Sequence, residues 1–307
     1  MTTRSTGPSA ARLQEIAEGV FAYVQPDGGW CLNNAGLVVS DGQAALVDTA
    51  ATRARAQALK EAAARVSPRP PRYVVNTHSH GDHTFGNQLF ADDAVIVAHE
   101  GARVEMEATG LHLTGLWPGV EWGELTVTLP DLTFRDRLTL HVGRTRAELV
   151  HLGPAHTASD TVVWLPERRV LYAGDLVMSG TTPFCLMGSV AGTIDVMERL
   201  RAFGAETVVP GHGPVGGPEL LDVTEGYLRR VQKLAAEGIR AKISPLEAAR
   251  EADLGPYAGL LDSERIVPNL HRAYAEARGA SPGEPMDVGL LFSEMVTHHG
   301  GLPACHA

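Results

Sequence analysis

His78-Ser79-His80-Gly81-Asp82-His83 places four metal-capable side chains within six residues, directly after the apolar run Tyr73-Val74-Val75. Packing does not explain that density. Alternation along an extended turn lets His78 and His80 face one ion, and Asp82 and His83 then point toward a second. Neutral imidazole suits zinc, at Zn–N distances of about 2.0–2.1 Å; a closed set of four protein ligands would be structural, and an open position catalytic. Three more ligand-type residues follow in glycine- or proline-punctuated contexts. They are His156 in Gly153-Pro154-Ala155-His156-Thr157, Asp175 in Ala173-Gly174-Asp175, and His212 in Pro210-Gly211-His212-Gly213. A polar loop with chance histidines, the competing reading, leaves these three unexplained.

The pattern around these residues alternates strand and helix. Short strands are predicted at 20–24, 37–40 and 44–48, separated by Gly28-Gly29 and Asp41-Gly42 turns. A helix over 53–66 follows from apolar Ala56, Leu59, Ala63 and Val66 at three- and four-residue intervals, stopped by Ser67-Pro68. Strands at 73–76 and 95–98 and a helix at 100–108 complete the first half. Strands at 139–142, 148–151, 161–164 and 170–172, a helix at 195–203 and a strand at 207–209 repeat the rhythm. Two strand-rich halves, each followed by helices, predict two sheets packed face to face with helices outside. Every candidate ligand is expected on a loop just after a strand.

From about Pro218 helical periodicity takes over, with Leu220, Thr224, Tyr227, Val231 and Leu234 on one face. Ser244-Pro245-Leu246-Glu247 reads as a capping box with proline at the first helical position. Further helices are expected around 270–277 and 286–296, the last ended by Gly300-Gly301. The chain thus divides into residues 1–217, which carry the ligands, and a helical extension, 218–307.

The 307 residues suffice for a large core, and 44% hydrophobic with 20% charged residues is ordinary for a soluble enzyme. A formal charge of −10, from 26 basic against 36 acidic residues, disfavours nucleic acid as a partner. No apolar run is long enough to span a membrane, and the start Met1-Thr2-Thr3-Arg4-Ser5-Thr6-Gly7-Pro8 has no apolar segment behind it, so a cytoplasmic protein is expected. Cys31, Cys185 and Cys305 are odd in number and widely spaced, which fits reduced thiols. Whether the chain forms a homo-oligomer is open at this level.

The order His-x-His-x-Asp-His, then His, Asp and His, resembles the metallo-β-lactamase-fold hydrolase superfamily. The resemblance implies a four-layer αββα sandwich, here with a helical C-terminal extension, and a binuclear site of two zinc ions with a hydroxide between them. His78, His80 and His156 would hold one zinc, and Asp82, His83 and His212 the other, with Asp175 bridging. Asp48, ending the strand Ala45-Leu46-Val47-Asp48, fits the family's first motif, a carboxylate that braces the metal loop without touching metal. Asp82 is expected to serve catalysis as well, by orienting the hydroxide and passing a proton to the leaving group. Cys185 is read as a pocket or core residue, because Asp175 already fills the bridging position. The remaining histidines (His99, His112, His141, His151, His271, His298, His299 and His306) match no ligand pattern.

The rest of the chain sharpens the resemblance. Gly28-Gly29-Trp30-Cys31, Thr114-Gly115-Leu116-Trp117-Pro118, the run from Val177 to Phe184, Gly188-Ser189-Val190-Ala191-Gly192-Thr193, Ala252-Asp253-Leu254-Gly255 and the run from Val267 to Ala273 look like segments of the lactamase-type second-ring cyclase/thioesterases of bacterial aromatic polyketide pathways, the actinorhodin pathway among them. That family implies an acyl carrier protein-bound poly-β-ketone, an intramolecular aldol closing the second ring, and release by thioester hydrolysis. Trp30, Trp117, Trp122 and Phe184 lie in loops that no core periodicity explains, and would wall a pocket for a flat apolar substrate; the alternative is that they pin those loops. The extension would either cover the active-site cleft or simply pack on the sandwich. Arg65, Arg69 and Arg72 are candidates for docking an acidic carrier protein, against a solvated charged face. Two other functions compete. One is a general metal-dependent thioesterase or lactonase resembling glyoxalase II. The other is a di-iron redox or binding protein, against which His80 argues, since di-iron relatives carry an acidic residue there.

Overall fold

The computed structural model describes residues 10–307, so the start read above for a leader lies outside the described residues. Seven strands form the first sheet in chain order: β1 (Arg12–Ala17), β2 (Val20–Val24), β3 (Ala35–Ser40), β4 (Gln43–Val47), β5 (Tyr73–Val75), β6 (Val95–His99) and β7 (Leu132–Phe134). The first four strands pair antiparallel, and β4 to β7 pair parallel. The second sheet has the order β12-β11-β10-β9-β8, from β8 (Arg137–Val142), β9 (Thr145–His151), β10 (Thr161–Leu165), β11 (Val170–Met178) and β12 (Thr207–His212). Its strands are antiparallel except β11 with β12.

Period-two patterning explains why the sheets stack. Val20, Ala22, Val38, Ala45 and Val47 of the first sheet meet Leu140, Leu149, Val163 and Tyr172 of the second in one buried layer. The outer face of the first sheet takes α1 (Arg53–Val66), whose Leu59, Ala62 and Ala63 pack on Leu46, Val74 and Ile96. On the outer face of the second lies α5 (Val190–Arg201), through Val196, Met197 and Leu200. The result is the αββα sandwich the patterning predicts. Short α2 (Gly81–Thr84), α3 (Glu100–Thr109) and α4 (His112–Leu116) fill the connections of the first half.

The C-terminal helices are present: α6 (Glu219–Ala241), α7 (Pro245–Arg250), α8 (Ile266–Ala277) and α9 (Val288–His299). They share a core with Val190 and Ile194 of α5, built around Tyr227, Val231, Leu270 and Tyr274. The Ser244 capping box forms as read, although the helix it opens is only six residues long. No helix among the described residues is long and apolar enough to cross a membrane.

The three arginines named as candidates for carrier docking flank the start of β5: Arg65 lies in the last turn of α1, and Arg69 and Arg72 precede β5, whereas the metal loop follows that strand.

Candidate metal centre

Parallel and alternating strands bring the ligand-type residues to one edge of the sandwich. β4, β5, β9, β11 and β12 all run toward that edge, and Asp48, the His78–His83 loop, His156, Asp175 and His212 lie at or near their ends. Two of these positions correct the loop expectation. Asp175 lies inside β11 and His212 is the last residue of β12, because the parallel pairing continues irregularly to Met178 opposite His212. Gly211 makes room for this. A Cβ there would stand 1.8 Å from Asp175 Oδ1.

Two groups of donors converge. His78, His80, His156 and Asp175 form one, and Asp82, His83 and His212 the other; within each, one donor atom per residue lies within 4.8 Å of the rest. Asp175 stands between them. Its Oδ2 is 3.5 Å from both His156 Nε2 and His212 Nε2 and 4.0 Å from His78 Nε2, while its Oδ1 is 3.1 Å from His83 Nε2. Asp82 Oδ2 lies 3.3 Å from His212 Nε2.

Four of the five imidazoles are pinned by their outer nitrogen, whereas His80 Nδ1 meets His156 Nε2 at 2.9 Å inside the cluster. His156 Nδ1 lies 2.5 Å from the Phe184 carbonyl, His212 Nδ1 3.1 Å from the Gly28 carbonyl, and His78 Nδ1 3.0 Å from Thr77 Oγ1. Asp48, at a left-handed φ of 60°, accepts from Thr77 N (2.7 Å), Thr77 Oγ1 (2.7 Å) and His83 Nδ1 (2.9 Å), and lies in neither donor group. A ring held from outside presents its other nitrogen inward in a fixed direction.

The interior supplies a test of whether a cation fits. His78 Nε2, His80 Nε2, His83 Nε2 and Asp175 Oδ1 are buried and have no hydrogen-bond partner. Leaving one such group unmet costs about 1–3 kcal/mol. Four of them in one buried cluster fit coordination of a metal ion.

Electrostatics divide the two groups. Burial, reinforced by neighbouring imidazoles, holds His78 well below its ordinary value, and burial takes His156 down to about 3. Burial acts the same way on His83 and His212, but the carboxylates of Asp175, Asp48 and Asp82 outweigh it: His83 rises well above its usual value and His212 to about 9. The imidazoles of the first group are therefore neutral before any ion arrives, and those of the second carry protons.

A cavity of about 500 Å³ opens onto both groups. Trp30, Trp117 and Phe184 line it, with ring centroids 5.2 Å (Trp30–Trp117) and 5.6 Å (Trp30–Phe184) apart. Trp122 does not line it. Its ring packs on Phe85, its Nε1 donates to the Trp117 carbonyl at 3.1 Å, and its own carbonyl caps the start of α1 at Arg53, so Trp122 fulfils the loop-pinning alternative. Cys185 lies in the helical core, its thiol pushed up to about 12 by burial. None of the other histidines joins either donor group among the described residues.

The sequence left open whether the extension covers the cleft or packs on the sandwich, and singled out none of its residues for the site. Met286, Val288 and Phe292 line the cavity, so the extension walls it as well as packing on the sandwich. Arg265, Asn269 and Arg272, on one face of α8 and its lead-in, hold the loop that carries Phe184. Arg265 Nη1 donates to the Thr182 carbonyl (2.9 Å), Asn269 Nδ2 to that of Pro183 (2.7 Å) and Arg272 Nε to that of Leu186 (3.1 Å). The Arg265 guanidinium also stacks 3.9 Å over the Trp30 ring, whose Nε1 donates to Glu264. A polar residue every three or four positions in a helix with a buried face was the available signal.

Residues 28–212, more than half of the chain, match the model of the metallo-beta-lactamase superfamily. The chain belongs to that superfamily. Its fold is that of a metallo-beta-lactamase from Pontibacter korlensis, at a TM-score of 0.59 and 23% identity over 72% of this chain and 99% of that one. It is also similar to a linear primary-alkylsulfatase of a Pseudomonas species, 24% identical over 73% of this chain and 52% of the other. With the acyl-coenzyme A thioesterase MBLAC2 of Homo sapiens it shares 26% identity over 53% of this chain and 63% of the relative. The chain therefore spans only about half to two thirds of the length of these curated relatives.

Proposed function

We propose that the protein is a zinc-dependent cyclase/thioesterase that closes the second ring of a carrier-protein-bound aromatic polyketide intermediate and releases it by thioester hydrolysis. The observation that carries this reading is the cavity: about 500 Å³, walled by Trp30, Trp117 and Phe184, opening directly onto two donor groups that share Asp175. Such a volume suits a flat, apolar, multi-ring product. It is more than a short acyl group needs.

Two zinc ions held by these groups would activate water near neutral pH and polarise a carbonyl. The chain's own residues do the rest. Asp82, with Oδ2 toward the donor cluster, orients the attacking water and takes its proton. A thiolate leaving group needs little protonation, so one carboxylate suffices for release. Trp30 and Phe184 exclude water and press the chain into a folded shape. Clamping by Glu264 and Arg265 keeps the Trp30 ring from turning away.

A thioesterase without ring formation is the second reading, favoured by the similarity to an acyl-coenzyme A thioesterase. The two separate on a carrier-bound poly-β-ketone with products resolved by chromatography and mass. The proposal expects a bicyclic released product, and Asp82→Asn, loaded with metal, should slow release by about 10²–10⁴-fold. Release of linear acid alone would leave only the thioesterase.

A further inference from the structure

Glu105 is a carboxylate that faces the cavity but belongs to neither donor group. It projects from α3, and its Oε2 accepts from Ser79 Oγ at 2.7 Å and Ser159 Oγ at 2.8 Å. Ser79 is the residue between His78 and His80, and Ser159 follows His156 by three. The carboxylate is thus fixed against the two loops that supply four of the five ligand-type histidines. Oε1 takes no hydrogen bond from the described residues, and Glu105 is half-buried, so this oxygen is free to meet a substrate. Glu284 also lines the cavity, but it is exposed and accepts from Ser281 N in its own turn.

Thioester release already has Asp82 and a leaving group that needs no acid. A second positioned carboxylate suits a step that moves a proton to or from carbon. We propose that Glu105 is the base of the ring-closing aldol step, an assignment that rests on the cyclase reading. Its carboxylate takes a proton from the methylene between two ketone groups. The C–H pair becomes the enolate, whose carbon bonds to the distant ketone carbon while that carbonyl's π pair moves to oxygen. Glu105 then returns its proton to the alkoxide, leaving a β-hydroxy ketone and the original carboxylate. No oxidant or reductant is consumed. Hydrogen bonds from Ser79 and Ser159 to Oε2 fix the orientation of the free oxygen.

The test uses the whole metal-loaded protein and a 3,5-dioxo thioester analogue in which CH2 replaces sulfur, so that hydrolysis cannot occur. Methylene hydrogen–deuterium exchange in D2O is followed by NMR above the rate with metal-free protein. The wild type should catalyse exchange, and Glu105→Gln, with full metal content, should lower it by about 10²–10⁴-fold. Glu105→Asp should recover part of the loss, and Glu107→Gln, exposed on the same helix, none of it to lose. Exchange that survives in Glu105→Gln overturns the assignment while leaving the cyclase reading standing. Loss of metal in that variant overturns it too, because Glu105 would then act by bracing the ligand loops. A wild type that neither exchanges nor cyclises brings down the cyclase reading and this assignment with it, while thioester hydrolysis remains to be scored by itself.

Discussion

The ligand-bearing wall of the cavity and its aromatic wall are built in different ways. On the ligand side, directional bonds fix four of the five rings: Thr77 holds His78, Asp48 holds His83, and the carbonyls of Phe184 and Gly28 hold His156 and His212. Strand ends of both sheets set where those bonds begin. The aromatic side is assembled from the Trp30 loop, the Trp117 loop, the Phe184 loop and the C-terminal helices; Arg265, Asn269 and Arg272 tie the Phe184 loop to α8 by hydrogen bonds, but the rings themselves meet by area contact and stacking. Directional bonds tolerate almost no change of residue type, whereas area contact tolerates many. The comparison teaches that the chemistry belongs to the superfamily and the choice of substrate to this chain's loops and extension.

The largest effect is expected at Asp175, the residue the two donor groups share. Asp175→Ala should take metal content, measured by elemental analysis after gentle purification, from about two ions per chain to one or none, with hydrolysis lost. A wild type that binds one ion and no more, even with added zinc, breaks the binuclear reading at its root.

Shrinking the aromatic wall should do something different in kind. Trp30→Ala and Phe184→Ala remove large buried ring area from the cavity and leave the donor groups intact. Cleavage of a small model thioester should change little, while the ratio of cyclised to uncyclised product on the long substrate falls by about tenfold, the worth of one weakened aromatic contact. If the ratio holds, these side chains join Trp122 as loop pins.

The smallest effect lies in proton bookkeeping within the ligand wall. A metal needs neutral imidazole. His78 and His156 are held down by burial and are neutral at pH 7, whereas His83 is raised and His212 stands at about 9 with Asp175 and Asp82 beside them. The first equivalent of zinc should therefore bind with no proton release from its imidazoles, and the second should expel protons. Its affinity should rise with pH through about 9, where His212 gives up its proton. Calorimetric titration in two buffers of unlike ionisation enthalpy reads this directly; equal proton release in both steps would contradict the division.

The ligand wall was legible in the sequence because metal ligands are few in kind and sit beside glycines that the backbone requires. The seven donor residues that the resemblance implied lie together at one edge of the sandwich, with Asp48 beside them. The helix at 53–66 was legible for the reason that stabilises it: Ala56, Leu59 and Ala63 make one buried stripe, and Thr52 caps its start. Elsewhere local signals fell short. β1 has a mixed, mostly exposed pattern and takes its conformation from pairing with β2. β11 runs on to Met178 through Gly174-Asp175, which reads as a strand end, because β12 supplies a partner beyond it. Phe292 and Met286 both fall in the helix expected at 286–296, and nothing local says that they face a cavity. Nothing local says which end of β5 the arginines near residue 70 occupy; they precede the strand that the metal loop follows.

The most direct test of the account compares an aryl thioester with a penicillin on one preparation of protein, before chelation, after chelation and after stepwise return of zinc. The account predicts that the thioester is hydrolysed far faster than the penicillin, that chelation abolishes this, and that activity returns in full only as the second equivalent of zinc per chain is reached. Efficient penicillin turnover with no thioesterase activity, or thioester hydrolysis that chelation leaves untouched, would contradict it.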